Sequence, residues 1–272
     1  MHPDNRDTLI TVAVIVFVFI SIFAGISLYS NHSPPFSVVV SQSMQHDDDE
    51  SRIGVIDTGD IVLVRNKSKV EIQSYLEGYQ TGHSTFGDYG TVIIYKTTTG
   101  ISIIHRAMMY IEINEDTEGK YAYIPYLDEY PIKSSIEDIE KIRENFFIER
   151  TGYREGDKIN VCLENILNKS NVGDVGYITM GDNNTSIDQC NMIPGVKGLV
   201  TYEQISSIPV MEIPWLGCFK ILLKDDSTVI TNHAPNSLPD LAVVIISGIL
   251  TLLSLYSLHI VYYMEKSRRN KR

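Results

Sequence analysis

Ile101-Ser102-Ile103-Ile104-His105-Arg106-Ala107-Met108-Met109-Tyr110 follows a Thr-rich turn and is dense in residues that suit a pleated, half-buried surface. Side chains alternate across a strand, so His105 shares a face with Ile101, Ile103 and Ala107, the more apolar of the two. A neutral imidazole set there can accept a proton. On this strand alone, a histidine satisfied within a core is the plainer reading. Similar short runs recur at Ser37–Val40, Ile61–Val64, Thr91–Tyr95, Lys158–Leu163, Val175–Thr179 and Phe219–Leu223. Four are preceded or accompanied by a Gly-Asp pair, at Gly59-Asp60, Gly87-Asp88, Gly156-Asp157 and Gly173-Asp174. Glycine tolerates positive φ and aspartate bonds nearby backbone, which suits a turn into a strand. The spacing of Ile136, Ile139, Ile142 and Phe146, behind a Ser134-x-x-Glu137 capping box, predicts an amphipathic helix over about 135–148. The polar stretches 66–88 and 112–134 read as loops, within insertions over about 66–88 and 112–172.

The β-rich region is framed by two apolar segments. Leu9–Leu28 is twenty residues without a charge, and Leu241–Met264 is twenty-four with His259 as its one ionisable side chain other than tyrosine. About 20 residues cross a bilayer as a helix, so these predict two transmembrane helices. Lys266, Arg268, Arg269, Lys271 and Arg272 follow the second segment and favour a cytoplasmic C-terminus. The expected plan is a cytoplasmic N-terminus over 1–8, a span over 9–29, an extracytoplasmic domain over 30–238, a span over 239–264 and a basic cytoplasmic tail over 265–272. The first segment is longer than the apolar part of a cleaved signal peptide and is flanked by Asp4 and Asp7 as well as Arg6, which favours a retained anchor.

Charge narrows the partners. The chain has 23 basic and 34 acidic residues; taking away one and two in 1–30, and five and two in 239–272, leaves 17 and 30. A middle domain at −13 lacks the electrostatic footprint of a nucleic-acid binder. Cys162, Cys190 and Cys218 are an odd number with no metal-ligand spacing, so one disulfide at most can form among them. No metal or organic cofactor is expected. Membrane lipid is an expected partner, and Trp215, the single tryptophan, can seat at the lipid interface or in the core.

Three stretches could carry chemistry. Ser41-Gln42-Ser43-Met44 follows a β run, and alternation would point the Ser41 and Ser43 hydroxyls the same way. A hydroxyl pair can supply a nucleophile and a hydrogen-bond donor, although two surface serines are the simpler case. His105 is the candidate base. Gly181-Asp182-Asn183-Asn184-Thr185-Ser186-Ile187-Asp188 follows a predicted strand, and a carboxylate there can orient a histidine. Asp182, Asn184, Ser186 and Asp188 also alternate like the start of an EF-hand, but Ile187 and Ile193 stand where that loop needs Gly and Glu. Asp47-Asp48-Asp49-Glu50 reads as a solvated acidic run.

In order, Ser41–Met44, Gly59-Asp60-Ile61-Val62, Ile104-His105-Arg106 and Gly181–Asp188 resemble the motifs of type I signal peptidase of the archaeal and endoplasmic-reticulum kind. Ile213-Pro214-Trp215-Leu216-Gly217 is similar to that family's closing strand. The resemblance implies a coiled antiparallel β-sheet catalytic domain with Ser43 as nucleophile, His105 as general base, and Asp188 and Asp182 as the acidic residues of the site. It further implies an oxyanion hole from the Ser43 backbone N–H with the Ser41 hydroxyl. Gln42 and His46 depart from the common Gly and Pro, and the region between His105 and Gly181 is long. Lys96, nine residues before His105, is the alternative base of the bacterial kind and fits the motif poorly.

The expected function is a membrane-anchored serine endopeptidase that cleaves signal peptides from exported preproteins, with secretion-machinery contacts as a further partner class. Its substrates should carry small residues before the cut. A catalytically silent, membrane-anchored binding or scaffold protein is the alternative, and a peptidase for a narrow set of envelope proteins is a third. Asn31, Asn66 and Asn168 begin glycan acceptor sequons; those at Asn183 and Asn184 fall inside the candidate site.

Overall fold

Ile101–Tyr110 lies almost wholly within the longest strand of the computed structural model, which describes residues 3–47, 50–190, 193–196, 198–223 and 237–269. That strand, β6 (Ser102–Asp116), pairs antiparallel with β5 (Val92–Lys96) on one side and β10 (Val175–Met180) on the other. Its far end turns back into β7 (Gly119–Tyr123). The sheet continues from β5 through β11 (Ile205–Ile213) and β2 (Ile61–Arg65) to the edge strand β1 (Phe36–Val38). The fold is therefore mainly β, a curled antiparallel half-barrel. Register shifts at Ile178/Thr179, Ile205/Ser207 and Pro209/Met211 lie along it. Each adds local twist, which helps bend an otherwise flat ladder into a trough.

Several apolar clusters pack against this sheet, among them the following two. Val39, Met44, Ile56, Val62, Val64, Val92 and Ile94 form one, against which Ile104 and Phe86 pack. The larger joins Met108, Met109 and Ile111 of β6 to the hairpin of β8 (Phe146–Glu149) and β9 (Lys158–Val161) and to α3 (Leu163–Lys169). A disulfide between Cys162 and Cys190 ties the end of β9 to the segment just past Asp188. Closing a loop of 28 residues restricts the unfolded chain by about 3–4 kcal/mol. Cys218 is free and buried. The glycines of all four Gly-Asp pairs have positive φ, and each pair leads into a strand.

Several expected elements differ. No helix forms over 135–148: Ile136, Ile139 and Ile142 reach the larger cluster from an irregular segment, and Phe146 begins β8. The Ser134 hydroxyl accepts from the Phe147 N–H across the loop rather than capping a helix. Contact with the core at helix-like spacing thus arose without helical backbone. The stretch 66–88 holds α2 (Tyr75–Thr81) and leads into the small hairpin of β3 (Ser84–Thr85) and β4 (Asp88–Tyr89), while 112–123 completes β6 and β7. Phe219–Leu223 belongs to a short helix, α4 (Cys218–Leu223), not to a strand. Five residues are too few for a period to separate the two, and here Cys218 and Ile221 turn inward together at helical spacing. The strand leading to the serines ends at Val38, two residues earlier than expected.

At the ends of the domain stand α1 (Pro3–Ser30) and α5 (Ser237–Arg269). Both are long and apolar enough to cross a membrane, over Leu9–Ser30 and Ser237–Met264.

Candidate active site

His105 sits on an interior strand of the sheet, opposite Ile93 of β5, and is buried. Its Nδ1 lies 2.6 Å from Asp188 Oδ2. With Asp188 ionised, the imidazole is the donor of that bond, which leaves the Nε2 lone pair free to take a proton. Asp188 is held in turn. Its backbone N–H donates to the Thr179 carbonyl at 2.8 Å, extending the β10 edge. The Thr179 hydroxyl at 2.6 Å and the Tyr95 hydroxyl at 2.8 Å both donate to the same Oδ2. Burial, with the Asp188 charge added, pushes the Tyr95 phenol well above its ordinary range, so it stays a donor. Tyr95 and Thr179 were not singled out in the sequence; only the fold brings them to Asp188.

Ser43 approaches from the other side, in a 3₁₀ turn over Gln42–Met44. Strand alternation is therefore not what aligns the two serines. Ser41 is extended and Ser43 helical, yet their hydroxyls meet at 3.2 Å. The turn is latched to the Gly181 loop: the Asn183 N–H donates to the Ser43 carbonyl at 2.9 Å, and Asn183 Nδ2 donates to the Gln42 carbonyl at 3.2 Å. Gly181 stands between the two halves. A Cβ there would fall 2.3 Å from the Ser43 carbonyl oxygen and 2.9 Å from His105 Nε2. Those two atoms thus border the same small space, which only glycine leaves open. Among the described residues no hydrogen bond joins the Ser43 hydroxyl to His105; the Ser43 hydroxyl bonds with Ser41 instead.

Asp182 does not reach His105. Arg106, next to His105 and therefore on the opposite face of β6, binds it bidentately through Nε at 2.8 Å and Nη2 at 2.5 Å. His46 Nε2 lies 3.0 Å from Asp182 Oδ2. Burial alone would raise the Asp182 carboxyl, but the Arg106 charge and hydrogen bonds, with His46, hold it well below the usual carboxylate range. The remaining Arg106 nitrogen reaches the carbonyls of Thr85, Asp88, Tyr89 and Gly90. Arg150 bonds Asp88 at 2.6 Å and the Asp182 carbonyl at 2.9 Å. His46 stacks on Tyr153 with ring centroids 3.7 Å apart, and Arg154 donates to the Asn183 carbonyl. The connection between β8 and β9 thus supplies Arg150, Tyr153 and Arg154 as a brace behind the loop. Beside the Asp182 motif, a charged residue inside an apolar strand, as Arg106 is, is the sequence feature that points to this network.

Lys96 is exposed at the end of β5, opposite Ser102 and three pairs along from His105. Asp48 and Asp49 of the acidic run lie outside the described residues. Among the described residues no three His, Cys, Asp or Glu side chains are grouped to hold a metal ion. A mostly apolar groove of about 660 Å³ opens between β3 and β11, lined by Phe86, Ile208, Val210 and Met211 among others. Phe86 also packs on the cluster that contains Met44, next to Ser43. Against protein-family models and against curated proteins, the chain finds no match.

Proposed function

We propose that this chain is a membrane-anchored serine endopeptidase that removes N-terminal signal peptides from exported preproteins, with Ser43 as nucleophile and His105 as general base. The observation that carries the reading is the His105–Asp188 pair, buried and braced by Tyr95 and Thr179, with Nε2 turned to the space beside Ser43. In the reaction, the Ser43 hydroxyl leaves Ser41, gives its proton to His105 Nε2 and attacks the scissile carbonyl. Catalytic hydrogen bonds often close only when substrate is bound. His105 then protonates the leaving amine, and water hydrolyses the acyl-enzyme by the same route. Asp188 holds the ring in orientation and stabilises the imidazolium as it forms. The Ser43 backbone N–H and the Ser41 hydroxyl are the donors assigned to the oxyanion; one such donor contributes about 10²–10³ in rate. Asp182 acts at one remove, as the anchor of the loop that carries Asp188. The groove beside Phe86 suits apolar side chains of an extended peptide.

One observation favours a second reading. The Ser41–Ser43 bond in place of a Ser43–His105 bond suits a silent binding protein. Cleavage of a labelled preprotein by membranes that contain the full chain separates the two. Wild type and Lys96→Ala should cleave, while Ser43→Ala and His105→Ala should fall by on the order of 10⁴ or more. Cleavage that survives Ser43→Ala would sink the mechanism. A folded wild type inert on several preproteins would turn the assignment to the binding protein.

A further inference from the structure

The two long helices meet the sheet at opposite ends of β2. At one end Ser30, the last residue of α1, donates its hydroxyl to the Val64 carbonyl at 2.6 Å and accepts from the Asn66 N–H. At the other, Ser237, the first residue of α5, donates to the Thr58 carbonyl at 3.0 Å. β2 fills the interval with five residues, about 16 Å at the usual rise per residue. Helices that cross a bilayer and attach at both ends of one strand lay that strand along the membrane surface.

At the α5 end of β2 lies α4. Its Cys218 and Ile221 pack with Leu238 and Leu241 of α5, with Val38 and with Trp215. At about 100° per residue, Phe219, Leu222 and Leu223 then share a different arc of the same helix. Those three are 45%, 47% and 87% exposed. Leu216, before the helix, and Val40, two residues beyond Val38, are exposed as well. Single exposed apolar residues are ordinary on any protein. Here a helix turns one apolar arc to the domain and a second to the outside, directly beside a segment built to enter lipid.

We propose that α4, with Trp215 and Leu216, is an interfacial helix that seats the outer domain on the headgroup–acyl boundary of the membrane beside α5. The occupant of the exposed arc is lipid, by continuity with α5. The seat fixes the height of the Ser41–Ser43 turn, which follows Val40 directly. The proposal rests on α1 and α5 being the membrane spans and is independent of the peptidase chemistry.

The test uses the full chain in lipid vesicles, which add no tryptophan of their own. Trp215 is the only tryptophan, so its emission reports this site alone. Lipids brominated near the glycerol should quench it by about half or more, lipids brominated at the chain ends less, and aqueous iodide weakly. In a second measurement, Leu223→Cys and Val172→Cys react with a water-soluble maleimide. Leu223 is the more exposed of the two on the protein itself, 87% against 50%, yet in the bilayer it should react at least about tenfold more slowly. Iodide quenching equal to that of free tryptophan, or a Leu223→Cys that reacts as fast as Val172→Cys, overturns the proposal. Neither readout depends on cleavage, so failure of the peptidase assignment and failure of the lipid seat are separately visible.

Discussion

Asp182 and Asp188 belong to one loop, but their partners differ, and substitution should separate them. Asp188 touches His105, so Asp188→Asn should lower kcat by on the order of 10⁴ while KM and stability change little. Asp182 touches Arg106, whose side chain is fully buried. Asp182→Asn leaves that guanidinium without its counter-charge and should cost about 3–5 kcal/mol of stability. Steady-state kinetics beside urea denaturation would read the pair, and a reversed pattern would show that the roles are exchanged. Ser43, His105 and the two aspartates were legible as candidates because each stands in a short local motif. What each aspartate does was not. Tyr95 and Asp188, or Arg106 and Asp182, are joined across 93 and 76 residues, and no local spacing encodes such a pair.

The Gly59-Asp60 turn at the start of β2 makes a prediction of its own. Asp60 is buried, and its carboxylate oxygens accept from the Asp57 and Trp215 N–H groups. Burial pushes its pKa up to about 7 against those two bonds, and the charges of Asp57 and Glu212 add to the rise. The folded state therefore keeps this proton where the unfolded chain, near its ordinary 3.8, has lost it. Stability from this group is full below about pH 4 and is lost as pH rises through 7, by at most about 4 kcal/mol. Thermal melts between pH 5 and 8 should fall toward the basic side, and Asp60→Asn should flatten that slope even if its absolute stability drops. An unchanged slope would assign the titration to Asp57 or Glu212, whose carboxyls burial also raises. At this scale, legibility followed periodicity. Alternation marked β6, and Gly-Asp marked four turns. The Ile136–Ile142 spacing misled because a loop laid over a core can touch it every third residue. Phe219–Leu223 misled because a run this short suits either a strand or a helix with two apolar arcs.

For the molecule as a whole, the balance of 17 basic to 30 acidic residues outside the apolar ends sets the response to salt. Several cations among the 17 are spent on close pairs. Arg106–Asp182 and Arg150–Asp88 are buried, and Arg143 and Lys141 share Asp116 at the surface. The surplus carboxylates are largely solvated and repel one another over distances that added salt shortens. The screening length falls from roughly 10 Å at 0.1 M to about 3 Å at 1 M. Screening should thus relieve more repulsion than it weakens attraction, and the melting temperature should rise with sodium chloride over that range. A gain of about 1 kcal/mol corresponds to about 2–4 °C for a domain of this size. The buried pairs are out of reach of the ions. The stability cost of Asp182→Asn should therefore be the same at both salt concentrations while the wild-type melt moves. A melting temperature that falls with salt would place the surface pairs above the net charge. A salt-dependent cost of Asp182→Asn would mean that water reaches the Arg106–Asp182 pair, and the brace behind the Asp188 loop would then be weaker than its geometry implies.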